Sequence, residues 1–369
     1  MIFTEHLSIS LFIPGVITSA LSVLLVMTKQ WHGNHSFDHL EGAQKFHVEP
    51  TPRVGGIAII SGMVAACFLS SESVSKLLVL MLIAALPAFV AGLMEDLTKC
   101  VKIRERLLAT LLSGTLAWWL TGYSLDHIDI APIDYLLAYV PLGAAFTAFA
   151  VGGVANSINI IDGFNGLAAG TIIICFTAFA LIAWQAGDVE LAQLCVVFVF
   201  VVAGFFVVNF PFGKIFMGDG GAYLLGVMVA WVAVMLPSRN PAVSVWAPLL
   251  VCAYPVLETV FSMWRRHHRI GQHPGQADSL HLHSLIYCRV SRVVVRKARP
   301  ELKNGLTSVL IWPLPLLSAG VATFLFSNTM VMIGGIVVCA FVYRLVYLRL
   351  TQFIWCLRPA TLSRNQTSE

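Results

Sequence analysis

Residues 77–106 read LLVLMLIAALPAFVAGLMEDLTKCVKIRER and join two opposite kinds of sequence. The first part, residues 77–94, carries no charge, and as a helix it would extend about 27 Å, close to the thickness of the hydrocarbon core of a bilayer. The second part begins with the acidic pair Glu95-Asp96 and continues with a run of basic side chains. This abrupt change is typical of a membrane-spanning helix that ends at the membrane surface.

The whole chain shows the same apolar bias. Of its 369 residues, 58% are hydrophobic and 11% are charged, and the mean hydropathy is +0.82. Soluble globular proteins are about 45–50% apolar and about 25% charged, so this chain has too few polar residues to cover a water-soluble surface. The composition therefore excludes a soluble enzyme, a disordered chain and a disulfide scaffold. The 8 cysteines include no CxxC pair, which argues against a redox function.

The hydropathy pattern predicts an all-α integral membrane protein, a polytopic bundle of about eleven transmembrane helices in a single domain, residues 1–369. The predicted spans lie at 8–27, 55–71, 77–94, 107–122, 134–155, 167–186, 191–212, 222–236, 245–263, 306–326 and 329–347. We also expect a long basic cytoplasmic loop at 264–304 and a short cytoplasmic tail at 348–369. The first span follows MIFTEHL, which has no basic n-region, so we expect a retained helix and not a signal peptide.

Basic residues are distributed unevenly between the two sides of this predicted bundle. Of the 23 Lys and Arg residues, only Lys76 and Arg239 fall on one side, and all the others fall on the opposite side. The positive-inside rule assigns the basic side to the cytoplasm. The sequence therefore predicts an external N-terminus and a cytoplasmic C-terminus.

Five polar stretches collect on the predicted cytoplasmic side. They are PTPRVGG at 50–56, EDLTKCVKIRER at 95–106, NSINIIDGFNG at 156–166, NFPFGKIFMGDGG at 209–221 and ADSLHLHS at 277–284. The external loops carry no comparable concentration of carboxylates, amides, imidazoles or glycines. We expect these cytoplasmic loops to form one composite active site that takes a polar ligand from the cytosol.

The third of these stretches carries a polar side chain at every third residue: Asn156, Asn159, Asp162 and Asn165. Side chains three apart are neighbours on a helical or 3₁₀ surface, so we expect the four to share one face. Amide and carboxylate oxygens suit Mg²⁺, which keeps coordination positions for water and phosphate. Helix capping by Asn and Asp explains one or two of these residues, and not four in phase.

Two other acidic positions are open to two interpretations each. Asp219 lies among three glycines in FMGDGG, which suits a contact with a metal and a diphosphate beside exposed backbone N–H groups. An ordinary tight turn explains the same glycines equally well. The pair Glu95-Asp96 could supply a base or orient a metal, or it could be a solvated end of a helix.

Histidines and one intramembrane acid complete the candidates. His281 and His283 lie in the longest predicted cytoplasmic loop, where imidazole groups could hold phosphate oxygens. Glu258 lies inside the ninth predicted span; an intramembrane carboxylate is a functional candidate, and we expect a structural hydrogen bond for it. Zinc is disfavoured because no cysteine stands at ligand spacing.

Taken together, these motifs resemble those of the polyprenyl-phosphate N-acetylhexosamine-1-phosphate transferases, glycosyltransferase family 4. The resemblance extends from His47 to Ser284 and rests on PTPRVGG, the acidic pair before a basic stretch, NxxNxxDGxNGL, FMGDGG and HLHS, in that order. NxxNxxDGxNGL and FMGD in one chain and on one predicted face are highly specific. Eleven spans match the bacterial branch that initiates O-antigen and common-antigen synthesis.

The resemblance implies roles for particular residues. It implies that Asn159 and Asp219 hold one Mg²⁺, with Mn²⁺ as an alternative, and that Asn165, Asn209 and Phe216 contact the uridine. It links the acidic pair with the lipid phosphate and the HxH region with the diphosphate.

The full set of expected site residues follows from the motifs and the resemblance together. The expected catalytic residues are Glu95, Asp96, Asp162, His281 and His283. Asn156 and Arg53 are expected to contact the UDP-sugar or the lipid phosphate. The sequence departs from the family pattern at Glu95, where Asp is usual, and at Ser284, where another His is frequent. Which member of the acidic pair acts as a base is therefore left open.

The expected reaction is the transfer of N-acetylhexosamine 1-phosphate from a UDP-sugar to undecaprenyl phosphate, with release of UMP. We expect it in the bacterial inner membrane, as the first membrane step of a cell-surface polysaccharide of the O-antigen or lipopolysaccharide type. UDP-GlcNAc is the default donor, and the GalNAc, FucNAc and QuiNAc donors stay open. The expected partners are undecaprenyl phosphate, the UDP-N-acetylhexosamine and membrane lipids, with no nucleic acid; a homodimer is left open.

Two alternative functions remain at this point. A phospho-MurNAc-pentapeptide translocase shares the family, but the forms of PTPRVGG and HLHS are more similar to the O-antigen-type branch. An ion-coupled transporter or flippase usually binds its substrate near mid-bilayer on broken helices and shows internal repeats, and this sequence has neither pattern.

Overall fold

A computed structural model describes residues 11–38, 50–268 and 280–352 of the chain. These residues form helices and short connections, apart from a two-residue antiparallel pair of strands, β1 (Phe37–Asp38) and β2 (Thr51–Pro52). The prediction of an α-helical protein is confirmed for this part of the chain.

The helices are numbered here in chain order. The first group is α1 (Ile13–Met27), α2 (Lys29–Ser36), α3 (Gly55–Leu69), α4 (Glu72–Thr98), α5 (Ile103–Thr121), α6 (Ala131–Leu137) and α7 (Val140–Ile161). The second group is α8 (Leu167–Gln185), α9 (Val189–Asn209), α10 (Gly218–Arg239), α11 (Ala247–Val251) and α12 (Ala253–His267). The last group is α13 (Leu282–Ile286), a π-helical turn (Tyr287–Ser291), α14 (Arg292–Val294), α15 (Pro300–Ile311), α16 (Pro313–Leu325) and α17 (Thr329–Thr351).

Seven helical segments within the described ranges are long and apolar enough to cross a membrane. They are α4, α7, α8, α9, α10, the run formed by α15 and α16, and α17, while α1 and α3 are apolar but shorter. The protein is therefore a multi-pass membrane protein by length and composition, and the count of eleven crossings stays a prediction.

Several predicted segments have different bounds in the structure. The predicted span 245–263 consists of two helices, α11 and α12, which meet at Cys252. The predicted loop 264–304 is partly helical, since α12 continues to His267 and α13, the π-helical turn and α14 follow from Leu282. The predicted tail 348–369 begins inside α17. Residues 269–279 and 353–369 lie outside the described residues.

The shortest predicted span, 222–236, lies at the centre of the bundle. It belongs to α10, which begins at Gly218 because the glycines of FMGDGG form its first turn and not a separate tight turn. In the most apolar part of α10, 94% of the residues are buried, compared with 17% in α17. α10 packs chiefly against α4 and α7, and also against α3. A helix surrounded by protein needs no amphipathic face, which explains its uniform apolar sequence.

Glycines allow the start of α10 to approach its neighbours closely. A Cβ atom on Gly92 of α4 would lie 2.5 Å from the carbonyl carbon of Asp219, and one on Gly56 of α3 would lie 2.5 Å from the backbone nitrogen of Gly221. A side chain at either glycine would push the helices apart. The first turn of α10, with Asp219, is therefore held between α3 and α4.

Candidate active site

The carboxylate of Asp219, in the first turn of α10, is the centre of the polar cluster. Its Oδ1 accepts hydrogen bonds from Arg53 Nη2 at 2.9 Å and from Asn159 Nδ2 at 3.1 Å. Its Oδ2 accepts a hydrogen bond from Arg106 Nη1. The donors come from three different parts of the chain, so the structure brings the first four polar stretches of the predicted composite site together.

Arg53 reaches Asp219 because the PTPRVGG segment pairs with the residues before α10. Phe216 N donates to Pro52 O at 2.9 Å, Gly55 N donates to Phe216 O at 3.0 Å, and Gly56 N donates to Met217 O at 2.9 Å. A Cβ atom on Gly55 would lie 2.7 Å from Phe216 O, so this pairing requires glycine. The PTPRVGG and FMGDGG motifs are therefore two halves of one backbone contact, and the predicted uridine residue Phe216 lies within it.

Asp96 holds the first turn of α10 from outside. Its carboxylate is buried in α4 and accepts the backbone N–H groups of Asp219 at 3.0 Å and Gly220 at 2.9 Å. Its Oδ1 also lies 3.2 Å from Arg53 Nε. The first N–H groups of a helix lack partners within the helix, and here Asp96 supplies two of them with an acceptor. The expectation that these N–H groups are exposed for a diphosphate is therefore wrong for Asp219 and Gly220.

The other member of the acidic pair has a different partner. Glu95 Oε2 accepts a hydrogen bond from Val101 N at 2.9 Å. This bond closes the turn after α4, whose C-cap residue Lys99 has a left-handed φ of 57°. Glu95 and Asp96 are neighbours in sequence, but one holds a loop and the other holds α10.

Arg106 is a site residue that the sequence did not single out. It lies in the first turns of α5, and its side chain is 18% exposed while the nearby Arg104 is exposed. The sequence showed Arg106 only as one of several positive charges at the cytoplasmic side. Arg106 differs from Arg104 because its side chain is partly buried against the Asp219 carboxylate. This difference is visible only in the folded chain.

The four polar residues at every third position do not share one face. Asn159 contacts Asp219, but Asn156 Nδ2 donates to Thr110 Oγ1 at 3.1 Å and to Gly152 O at 2.7 Å. In an α-helix a spacing of three turns each side chain back by about 60°, so such residues diverge over several steps. In addition, α7 ends at Ile161, and Asp162 is its C-cap residue. The expectation of one common face is therefore wrong.

Asn165 and Asn209 lie in a second, buried set of hydrogen bonds. Asn165 Nδ2 donates to Pro211 O at 2.9 Å. Asn209 Oδ1 accepts Gly166 N at 2.6 Å, and Asn209 Nδ2 donates to Ile215 O at 2.7 Å. These bonds tie the turn before α8 to the segment after α9. A nucleotide contact by Asn209 would have to replace one of its backbone partners.

The two predicted histidines stack on each other beside the turn that follows Asp162. Their rings are 5.0 Å apart and 10° from parallel, and both side chains are buried. The ring centroids of His283 and Phe164 are 5.4 Å apart. His281 Nδ1 lies 2.8 Å from Glu258 Oε1, so the structural hydrogen bond expected for Glu258 is present.

Comparisons with known proteins agree with this architecture. Residues 78–237 match the model of Glycosyl transferase family 4. The undecaprenyl-phosphate alpha-N-acetylglucosaminyl 1-phosphate transferase of Yersinia pestis is 28% identical over 252 residues, which are 66% of this chain and 67% of the relative. The Salmonella typhi protein of the same name is 29% identical over 250 residues, 66% of this chain and 67% of the relative. A probable undecaprenyl-phosphate N-acetylglucosaminyl 1-phosphate transferase of Bacillus subtilis (strain 168) is 28% identical over 245 residues, 65% of this chain and 66% of the relative.

These comparisons support the resemblance of the chain to glycosyl transferase family 4 and to the undecaprenyl-phosphate N-acetylglucosaminyl 1-phosphate transferases. The match to the family-4 model includes Asp96, Asn159 and Asp219 but neither Arg53 nor the two histidines. The structure connects both of these outer parts to the matched region, through the ion pairs of Arg53 and through the contact between His283 and Phe164.

Asp162 differs electrostatically from the other carboxylates of the cluster. No described residue makes a hydrogen bond to its side chain, which is partly buried. Burial raises the pKa of Asp162 to about 7; Arg53 lowers it, and the nearby charges of Asp219 and Asp96 raise it further. Its carboxylate is thus the one in the cluster that lacks a partner within the described residues.

The donor set of the cluster fits a hard cation. When all three are ionised, Asp96, Asp162 and Asp219 carry three negative charges, and Arg53 and Arg106 balance two of them. Within the described ranges no group of three His, Cys, Asp or Glu side chains has metal-binding geometry. Mg²⁺ uses one or two protein carboxylates together with water and phosphate oxygens, so it needs no such group. Asp219 and Asn159, whose carboxylate and amide groups are in contact, provide oxygen ligands of the type that this ion takes.

Proposed function

We propose that this chain transfers N-acetylglucosamine 1-phosphate from UDP-GlcNAc to undecaprenyl phosphate and releases UMP. The observation that carries the proposal is the convergence of Arg53, Arg106 and Asn159 on Asp219 in a chain that matches the family-4 model over residues 78–237. The names of the relatives specify the same acceptor and the same sugar phosphate.

The position of the cluster supports a transferase over a transporter. Asp96 lies in the last turn of α4, Asn159 in the last turn of α7 and Asp219 in the first turn of α10. All three are therefore at helix ends, where a lipid headgroup can meet a water-soluble nucleotide. Transporters generally place their binding residues near mid-bilayer.

The reaction is a phosphoryl transfer. An oxygen of the lipid phosphate attacks the phosphorus that carries the sugar, an O–P bond forms, the bond between the two phosphates of the UDP-sugar breaks, and UMP leaves. Such reactions depend mainly on positioning and on electrostatic stabilisation of the phosphate oxygens. We assign the second task to Arg53 and Arg106, whose charges Asp219 fixes in place, and positioning of α10 to Asp96.

We assign one Mg²⁺, with Mn²⁺ as an alternative, to Asp219 and Asn159. When bound, this ion would neutralise negative charge on the diphosphate. The carboxylate of Asp162, which has no hydrogen-bond partner among the described residues, is then the group that can accept a proton or a water molecule.

The assay for this function measures UMP. Purified protein, UDP-GlcNAc, undecaprenyl phosphate and Mg²⁺ should yield UMP only when all components are present. Asn159→Ala should abolish turnover, whereas Asn328→Ala, which removes an exposed asparagine that caps α17, should not. UMP formation without the lipid phosphate, or none with it, would contradict the proposal; the second result is also what a flippase would give.

The same assay with other donors addresses the sugar. We propose UDP-GlcNAc as the donor and a cell-surface polysaccharide of the O-antigen or lipopolysaccharide type as the product. A panel of GlcNAc, GalNAc, FucNAc and QuiNAc donors should give the highest kcat/KM with GlcNAc. A donor bearing MurNAc-pentapeptide should be inactive, and turnover with it would favour the translocase.

We propose that the protein lies in the bacterial inner membrane with a periplasmic N-terminus and a cytoplasmic C-terminus. Cys100 is exposed beside the Asp219 cluster, and Ser238 is exposed near the opposite end of α10. A membrane-impermeant maleimide added to spheroplasts should label Ser238→Cys and leave Cys100 unlabelled until the membrane is opened. Labelling of Cys100 from outside would reverse the orientation.

A further inference from the structure

Glu258 is a fully buried carboxylate in α12 that the reaction described above does not use. A carboxylate at such a position is costly unless it is paired and hydrogen-bonded. It accepts a hydrogen bond from His281 Nδ1 at 2.8 Å, and its two oxygens lie 3.2 and 3.3 Å from the backbone nitrogen of Leu282. Both partners belong to the HLH segment, so Glu258 holds this segment at two adjacent points.

α12 holds the same segment at a third point, two helical turns later. Arg265 Nη1 donates to Leu280 O at 2.6 Å and to Tyr347 OH of α17 at 2.8 Å. Arg265 therefore fixes the backbone before His281 and connects it to α17. The contact of Glu258 differs in kind, because it alone reaches an imidazole side chain.

The hydrogen bond to Glu258 selects one state of the His281 ring. A carboxylate accepts hydrogen bonds and does not donate them, so Nδ1 of His281 must carry the proton. A fixed proton on one nitrogen determines the chemistry of the other, as carboxylate–histidine pairs show in many sites. Nε2 is then the polar atom of His281 that is left for a substrate oxygen.

The stacked rings of His281 and His283 extend from Glu258 towards the Asp219 cluster. His283 lies parallel to His281, and its Nε2 is 3.7 Å from the position that a Cβ atom on Gly163 would take. Gly163 directly follows Asp162, whose electrostatic neighbours are Arg53, Asp96 and Asp219. Glu258, His281 and His283 therefore form a series of neighbours that ends at Gly163, the residue next to Asp162.

We infer that Glu258 is a positioning residue for the transfer reaction: it fixes the ring orientation and the Nδ1–H form of His281, so that Nε2 of His281 can contact the diphosphate. This role rests on the proposed function. It also gives a reason for an acidic residue in the mainly apolar part of α12 that precedes Arg265, since an apolar side chain would leave the ring free to rotate.

A double-mutant cycle separates positioning from a purely structural role. Glu258→Gln should lower kcat by about 10- to 100-fold, the range observed when a carboxylate behind a functional histidine is removed. The same substitution in a His281→Ala background should change kcat by less than about two-fold, because the group through which Glu258 acts is already absent. Glu258→Asp should recover part of the loss. Glu190→Gln, a carboxylate at the opposite end of the bundle, is the matched control and should leave kcat unchanged.

Two further measurements complete the test. Nitrogen-15 NMR of histidine-labelled protein should show His281 Nδ1 protonated in the parent and a mixture of forms in Glu258→Gln. Equal losses of kcat in both backgrounds, or an unprotonated Nδ1 in the parent, would overturn the inference while the transferase function stands. A parent protein that releases no UMP would instead overturn the proposed function, and this role with it.

Discussion

Each end of α10 carries a network of arginine and carboxylate side chains. The distances between arginine and carboxylate atoms are similar in the two networks, but the networks differ in whether every carboxylate has a hydrogen-bond partner. At the far end, Arg239 contacts Asp188 at 2.7 and 2.9 Å and Glu190 at 2.8 Å. Asp188 is also the N-cap of α9 and accepts Leu191 N at 3.1 Å. Both carboxylates there are bound by the protein itself, so this network has no task left except to hold helix ends together.

The network around Asp219 lies about 30 Å away along α10. It differs in that one of its carboxylates has no hydrogen-bond partner among the described residues. Asp96 and Asp219 each accept hydrogen bonds from the protein, but the Asp162 carboxylate has no hydrogen bond from any described residue. The comparison of the two ends of α10 shows that ion-pair distances alone do not identify a functional site. The informative feature is a partly buried carboxylate that the fold leaves without a partner.

The largest expected difference between the two ends concerns their central carboxylates. Asp219→Asn should lower the rate of UMP release by about 10³-fold or more, because it weakens both the proposed metal ligand and the anchor of two arginines. Asp188→Asn should instead lower the Tm and leave the kcat of the folded protein within about two-fold, because it removes the negative charge that pairs with Arg239. Activity of Asp219→Asn near that of the parent would remove Asp219 from the site, and a large kcat effect of Asp188→Asn would abolish the contrast.

The second comparison lies within one basic stretch. Arg106→Gln should lower kcat/KM by about 10- to 100-fold, since its guanidinium binds Asp219 and is proposed to stabilise the phosphate oxygens. Arg104→Gln, two residues earlier and exposed, should change kcat/KM by less than about two-fold. Equal effects of the two substitutions would mean that this stretch acts only through its net charge.

The third prediction tests the missing partner of Asp162 through stability and not through activity. Because burial holds its pKa near 7, the native protein keeps a proton that an unfolded Asp loses near pH 4. The native state therefore binds more protons across this range, and stability falls as the pH rises from about 4 to about 7. Asp162→Asn removes this dependence of stability on pH. Without divalent cations, the Tm of Asp162→Asn minus the Tm of the parent should therefore be larger at pH 8 than at pH 5.

Mg²⁺ provides the control for that measurement. At pH 8 the ion should raise the Tm of the parent more than the Tm of Asp162→Asn, because only the parent has the unneutralised carboxylate. Parallel curves of Tm against pH for the two proteins would show that Asp162 is satisfied in the native state.

Hydropathy predicted the helices because the information is local. Eighteen uncharged residues between Leu77 and Met94 are enough to place α4 without any knowledge of its neighbours. The exception was α10, where Gly218 and its neighbouring glycines looked like a turn. Their role depends on the close approach of Gly56 and Gly92, which sequence periodicity does not show.

The site was predictable as a set of motifs and not as a set of contacts. FMGDGG indicated Asp219, but its partner Arg53 lies 166 positions earlier in the chain. Nothing in the sequence distinguishes Arg106 from Arg104, or shows that Asn156 is bound to Thr110 and not to the site. These distinctions depend on which side chains the packed helices bury.

The smallest expected effect concerns Glu95, where the chain departs from the usual acidic pair. Its Oε2 accepts Val101 N, so the carboxylate holds the turn between α4 and α5. Glu95→Gln keeps an oxygen acceptor at nearly the same place, and we expect a loss in kcat of about three-fold or less, constant from pH 5.5 to pH 8.5. A base that acts on the lipid phosphate would give a different profile, because phosphate has a pKa₂ of about 6 and the monoanion dominates only at low pH. A loss concentrated below about pH 6 would therefore assign the base role to Glu95 and contradict the loop-holding role.

Glu95→Asp restores the usual pair with a shorter side chain, and it should keep partial activity because it reaches Val101 N less well. A Glu95→Gln protein as fast as the parent at every pH would leave Asp96 as the only functional member of the pair.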